Sequence, residues 1–129
     1  MGRRSRQLWL SLAACALGAA AAGCEPSCHE RERSSMDAVG EVARDPVLSA
    51  CDRDEECILV SVRIGCYESC PDSFPVRRDS VDLLAERLND VNDEHCADFV
   101  EECGRPVAHF ICLPLYAACV DGRCTARAP

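Results

Sequence analysis

The side chains best placed for chemistry in this chain are its thiols, 12 cysteines among 129 residues. Cys24 stands apart from the others. It follows Ala21-Ala22-Gly23 and closes an apolar stretch, Leu8 to Ala22, that is fronted by Arg3, Arg4 and Arg6. A basic front, an apolar segment too short to span a bilayer as a mature helix, and small residues before a cysteine make a lipobox. Residues 1–23 are therefore expected to be a signal peptide and Cys24 the lipidated mature N-terminus; the alternative is cleavage nearby by the general signal peptidase. Arg3-Arg4 lacks the apolar follow-on of a twin-arginine signal, which leaves the ordinary secretory route.

With Cys15 leaving in the leader and Cys24 taking lipid, ten cysteines remain: Cys28, Cys51, Cys57, Cys66, Cys70, Cys96, Cys103, Cys112, Cys119 and Cys124. In an oxidising compartment such a density in a small domain indicates a disulfide framework. The count is even, so full pairing would give five bridges. Ten cysteines permit on the order of hundreds of pairings, and spacing alone does not choose among them. Parity constrains one thiol. Nine of the ten lie between Cys51 and Cys124, so one must pair outside that segment, and Cys28 is expected to complete the set. The competing expectation is that Cys28 pairs with a second molecule or stays free.

Other chemistries fit less well. Asp52, Asp54 and Glu56 alternate like the start of a calcium loop but lack the glycine its sharp turn needs. His29, His95 and His109 each lie near a cysteine, yet there is no C-x2-C pair with a matching H-x3-H, so no metal and no cofactor is expected. Cys66 and Cys70 are separated by three residues where a thioredoxin-like redox site has two. No G-x-S-x-G elbow is present, and the chain is not expected to be an enzyme.

The mature chain, 106 residues from Cys24, is one domain by length. Loss of the three leader arginines takes the formal charge from −8 to −11, and there is no lysine. A phosphate backbone is bound by clustered cations that this chain lacks, so nucleic acid is not an expected partner. The acidic residues Asp90, Asp93, Glu94, Asp98, Glu101 and Glu102 offer either a solvated face or a docking surface for a cationic protein.

Residues 24–50 are polar apart from short apolar groups and are expected to be a lipid-anchored tether, with at most two helical turns over Met36 to Arg44. Residues 51–129 form the disulfide-rich domain. Ile58 to Ile64 is β-branched and stops at Gly65, which predicts a strand. Asp79 to Glu94 places Val81, Leu84, Leu88 and Val91 at helical spacing, with Asp79 or Ser80 as N-cap after a turn at Pro75. A second strand is expected around Val107 to Leu113. Tyr116 to Val120 and Arg123 to Ala126 flank Asp121-Gly122, a hairpin turn. The expected fold is α+β, one helix packed on a short antiparallel sheet and laced by disulfides.

The lipobox, Cys51-Asp52-Arg53-Asp54-Glu55-Glu56-Cys57, the step Gly65-Cys66-x3-Cys70, the helix, and Cys119-Val120-Asp121-Gly122-Arg123-Cys124 together resemble the cysteine-cluster lipoproteins (eight-cysteine-cluster-like) of high-GC Gram-negative bacteria. That family usually has two adjacent cysteines after the glycine, where this chain has Cys66-Tyr67. The resemblance implies an exported domain of no stated activity. The expected role is a lipid-anchored cell-envelope module, on the periplasmic face or the outer membrane, that acts by binding or by structure, with the membrane and an unspecified protein as partners. The alternative is a secreted-type inhibitor whose disulfides hold a rigid loop, Gly104 to His109 or Asp72 to Arg78, at low ordering cost.

Overall fold

The computed structural model describes residues 25–106 and 111–129. The expected signal peptide, Cys24, and Val107 to Phe110 lie outside the described residues.

The first element is a surprise. Where the sequence suggests a polar spacer, helix α1 runs over Cys28–Arg44. Its start is built by a capping box: the Ser27 hydroxyl accepts the Glu30 N–H at 3.2 Å, and the Glu30 carboxylate accepts the Ser27 N–H at 2.7 Å. Its apolar stripe is sparse, but it reaches the core through Val39, 3% exposed, with Ala38, Val42 and Ala43 beside it. A polar helix of this length is marginal alone and persists here because it packs along a second helix. The tether assigned to residues 24–50 is thus corrected: from Cys28 onward the segment is part of the folded domain.

Asp45 both ends α1 and caps the short helix α2, Pro46–Ser49, by accepting the Val47 N–H at 2.9 Å. A 3-10 turn at Asp54–Glu56 leads into β1, Cys57–Val60, followed by β2, Arg63–Ile64, and β3, Tyr67–Glu68. The single strand expected over Ile58 to Ile64 is therefore split at Ser61-Val62, where Val62 turns inward and is 1% exposed. β2 and β3 form a tight hairpin around Gly65-Cys66, and β1 pairs antiparallel with β4, Phe74–Arg77, in the register Ile58↔Val76.

The pairing with β4 corrects two expectations. The partner of β1 is not a strand at Val107 to Leu113; Ile111 to Leu113 is not strand, and the rest of that range lies outside the described residues. Asp72 to Arg78 is not an exposed loop either, because Phe74 and Val76 alternate into the core as buried strand residues. Pro75 fits there because β4 pairs on one side only.

Helix α3, Val81–His95, follows a 3-10 turn and buries Leu84 and Val91. Ser80 occupies its N-cap position but turns its hydroxyl to the Val47 carbonyl at 3.3 Å, which ties α3 to α2. A short helix α4, Phe99–Cys103, precedes the C-terminal hairpin of β5, Tyr116–Val120, and β6, Arg123–Arg127. Asp121 and Gly122, at φ 51° and 75°, form the left-handed two-residue turn that suits strand twist.

The main core joins Val39 of α1, Leu48 of α2, Val62 between β1 and β2, Phe74 and Val76 of β4, and Leu84 and Val91 of α3. Each such side chain contributes about 1.5 to 3 kcal/mol on burial. The fold is a small disulfide-rich α+β domain. Among the described residues it has two long helices rather than one, and the strands form three two-stranded antiparallel ladders.

Candidate functional site

The ten cysteines from Cys28 onward are consumed in five bridges: Cys28–Cys103, Cys51–Cys119, Cys57–Cys124, Cys66–Cys96 and Cys70–Cys112. All have Cα separations of 5.1 to 5.9 Å, which suits a disulfide.

Cys28–Cys103 clamps the first residue of α1 to the last residue of α4. Beside it, the Arg31 guanidinium lies 5.2 Å from the centroid of the Phe99 ring, pairs with Glu102 and donates to the Ala97 carbonyl. A delocalised guanidinium suits this position, where one face stacks on an aromatic ring and the edge meets two acceptors. The start of α1 is therefore anchored covalently and electrostatically to the body. Cys24 precedes Cys28 by four residues, a reach of at most about 14 Å.

Cys51–Cys119 and Cys57–Cys124 lie side by side. The sulfurs of Cys51, Cys57 and Cys124 are all within 4.8 Å of one another and buried, a grouping close enough to hold a metal ion if the sulfurs were thiolates. As disulfides they do not ligate one. Three backbone ties hold the same place: the Cys51 N–H donates to the Gly122 carbonyl at 3.0 Å, Ala50 bridges Arg123, and the Cys119 N–H donates to Asp54 Oδ1 at 2.7 Å. Glu56 accepts the Asp52 N–H at 2.7 Å, and that bond holds its carboxyl below the usual glutamate range. Asp54 and Glu56, two of the three carboxylates of the calcium-like run, thus serve as acceptors for backbone N–H groups.

Cys66 and Cys70 join different partners, so they do not form a redox pair. Cys66–Cys96 packs on Phe99, which is 1% exposed, and brings the β2–β3 hairpin onto the end of α3. Gly65 fits closely there: its N–H donates to Asn92 Oδ1 at 2.8 Å, and an added Cβ would lie 3.1 Å from that oxygen and 3.3 Å from Cys96 Cβ. Nothing in the sequence pattern marked this approach except the glycine itself.

The histidines are dispersed. His29 Nε2 meets Arg33 at 3.0 Å and His95 Nδ1 meets the Ser34 hydroxyl at 2.9 Å, while His109 lies outside the described residues. The acidic residues Asp90, Asp93, Glu94, Asp98, Glu101 and Glu102 are all exposed, with Glu102 engaged by Arg31.

Two hollows open on either side of the β2–β3 hairpin. One, of about 530 Å³, has mixed walls, with Arg63, Glu68, Asn92 and Arg105 beside Ile64 and Val100. The other, of about 380 Å³, is lined by Tyr67, Ser69, Cys70, Ile111, Leu113 and Leu115. Burial pushes the Tyr67 phenol up from its usual range. Neither hollow gathers a nucleophile with a base. Of the two loops considered for an inhibitor, Gly104 to His109 falls between the bridged residues Cys103 and Cys112, and its final three residues lie outside the described residues.

Fold and bridges together define a small, multiply clamped α+β module. No protein-family model, no curated protein and no solved structure matches the chain. No helix among the described residues is long and apolar enough to cross a membrane.

Proposed function

We propose that this chain is an exported lipoprotein, anchored through Cys24, whose domain is a rigid binding or structural module of the cell envelope. The observation that carries the reading is the completeness of the pairing. Ten cysteines from Cys28 onward pair among themselves, so the framework is complete without Cys24, the cysteine that ends the lipobox pattern and the one proposed to bear lipid. Five bridges also suit an oxidising compartment. Because α1 starts four residues after Cys24 and is bridged at its first residue, the domain sits close to the anchoring surface and is not held away from it on a spacer.

The test is intact-mass analysis of the membrane fraction, in which a chain beginning at diacylglyceryl-modified Cys24 is expected and Cys24→Ser should release the protein into the soluble fraction. A wild-type protein that is soluble and unmodified overturns the proposal. The inhibitor reading draws on one observation, that residues 104–111 are bounded by two bridges, one to the start of α1 and one to the loop between β3 and β4. Dose-dependent inhibition of an exported hydrolase by the purified domain, lost when Cys70 and Cys112 are both replaced by Ser, would favour that reading.

A further inference from the structure

Cys119 and Cys124 face each other across the C-terminal hairpin. Val120 and Arg123 flank the two-residue turn, so they form the hydrogen-bonded pair, and the next pair, Cys119↔Cys124, is of the non-hydrogen-bonded kind. The Cys119 N–H points outward to Asp54, as that alternation requires. Non-hydrogen-bonded partners have Cα atoms about 4.5 Å apart, within the range that a direct disulfide spans. Yet the two cysteines bond elsewhere, to Cys51 and Cys57, whose own sulfurs are within 4.8 Å of each other.

We propose that these four cysteines form a thiol–disulfide exchange centre with two closed pairings: the long-range pair Cys51–Cys119 and Cys57–Cys124, and a local pair Cys51–Cys57 and Cys119–Cys124. The reacting partner is a small thiol or a dithiol oxidoreductase. Cys119 is the entry point, because it is partly exposed while Cys51, Cys57 and Cys124 are 8%, 5% and 6% exposed.

An external thiolate attacks the Cys119 sulfur, forming a mixed disulfide and releasing the Cys51 thiolate. Cys51 attacks the Cys57 sulfur beside it, forming Cys51–Cys57 and releasing the Cys124 thiolate. Cys124 attacks the Cys119 sulfur across the hairpin, forming Cys119–Cys124 and expelling the external thiolate. Two disulfides enter and two leave, the thiolate is regenerated, and no net oxidation or reduction occurs.

The two pairings differ in reach. The long-range bridges span 68 and 67 residues, whereas the local ones would close steps of 6 and 5. In an unfolded chain, loop closure favours the local bridge by roughly 40-fold at each step. In the folded chain the backbone ties from Asp54, Gly122 and Ala50 hold the hairpin against the body and favour the long-range pairing. The local pairing is then the first formed during oxidation and the form to which a thiol catalyst returns the protein when those ties loosen. It also frees the hairpin from its two covalent links to residues 51 and 57.

The test follows linkage in the full mature chain. Arg53 and Arg123 fall between the cysteines of each local pair and Tyr116 separates Cys112 from Cys119, so trypsin with chymotrypsin places all four on different peptides. During refolding of the reduced chain in a glutathione buffer, with samples trapped by alkylation, Cys119–Cys124 should appear early and give way to Cys57–Cys124, and it should persist if free thiol is removed midway. Folded protein held with catalytic glutathione should show a minor Cys119–Cys124 peptide, with Cys28–Cys103 and Cys66–Cys96 unscrambled. Long-range linkages alone at every refolding time, or exchange spread equally over all five bridges, overturns the proposal.

Discussion

The backbone N–H of Cys119 donates to Oδ1 of Asp54 at 2.7 Å across 65 residues of sequence. This bond joins the C-terminal hairpin to the turn that enters β1, at the place where two disulfides already cross. It is charge-assisted, with the carboxylate as acceptor. Asp54→Ala should lower stability by about 1.5 kcal/mol, the low end for a bond to a charged group at an exposed site, while Asp54→Asn retains an acceptor and should lose less. Urea titrations of the oxidised variants check the order wild type, Asn, Ala; Ala equal to wild type would show that the bridges alone hold the hairpin.

Two glycines should respond to alanine in opposite directions. At Gly65 the new methyl would meet Asn92 Oδ1 at 3.1 Å and Cys96 Cβ at 3.3 Å, both held by packing and a disulfide, so Gly65→Ala should destabilise by about 1 to 3 kcal/mol. At Gly40, inside α1, the nearest atoms are the flexible tip of Arg44 at 3.8 Å, and Gly40→Ala should stabilise by about 0.5 to 1 kcal/mol through helix propensity. Thermal melts of the pair test whether α1 is a helix in solution, since a spacer would not respond at Gly40.

Cys28–Cys103 closes a span of 75 residues, worth about 4 kcal/mol on the chain-entropy account. Replacing both residues by Ser should cost most of that, and the loss should concentrate in α1. Hydrogen exchange is the discriminating measurement: α1 amides should lose protection before those of β1 and β4. Uniform loss of protection would mean that α1 docks as strongly without its clamp.

Stability should fall in acid. The backbone and hydroxyl of Ser27 hold Glu30 below the usual glutamate range, the Asp52 N–H does the same for Glu56, and Arg77 lowers Asp79. A carboxyl depressed in the folded state adds stability that is complete above its unfolded pKa and is lost as pH falls through the lower folded value. The urea midpoint should therefore be flat near neutrality and decline through the carboxylate range. Glu30→Gln and Glu56→Gln together should make that decline shallower; an unchanged acid slope would remove these two groups from the account.

Full reduction should unfold the domain. Its main core is a single cluster of aliphatic side chains and Phe74, small for a chain of this size. Circular dichroism after reduction at neutral pH should lose the helical signal and the cooperative melt, and a retained melt would show a core sufficient without bridges.

Elements whose signals are local were legible in the amino-acid sequence. The α3 stripe of Val81, Leu84, Leu88 and Val91 specifies its own helix, and Asp121-Gly122 specifies its own turn, because periodicity and positive φ act over a few residues. Cysteine density likewise made a disulfide framework legible, and parity singled out Cys28. The α1 capping box, Ser27 with Glu30, was also written locally, but the polar stretch after it offers too little apolar surface to argue for a helix without its partner. Tertiary structure decided that α1 packs on α3, that β1 takes β4 and not a later strand, and which cysteine meets which. Those choices depend on contacts between residues 14 to 75 positions apart, where loop-closure cost changes only slowly with spacing and the assembled backbone brings one sulfur within reach of another.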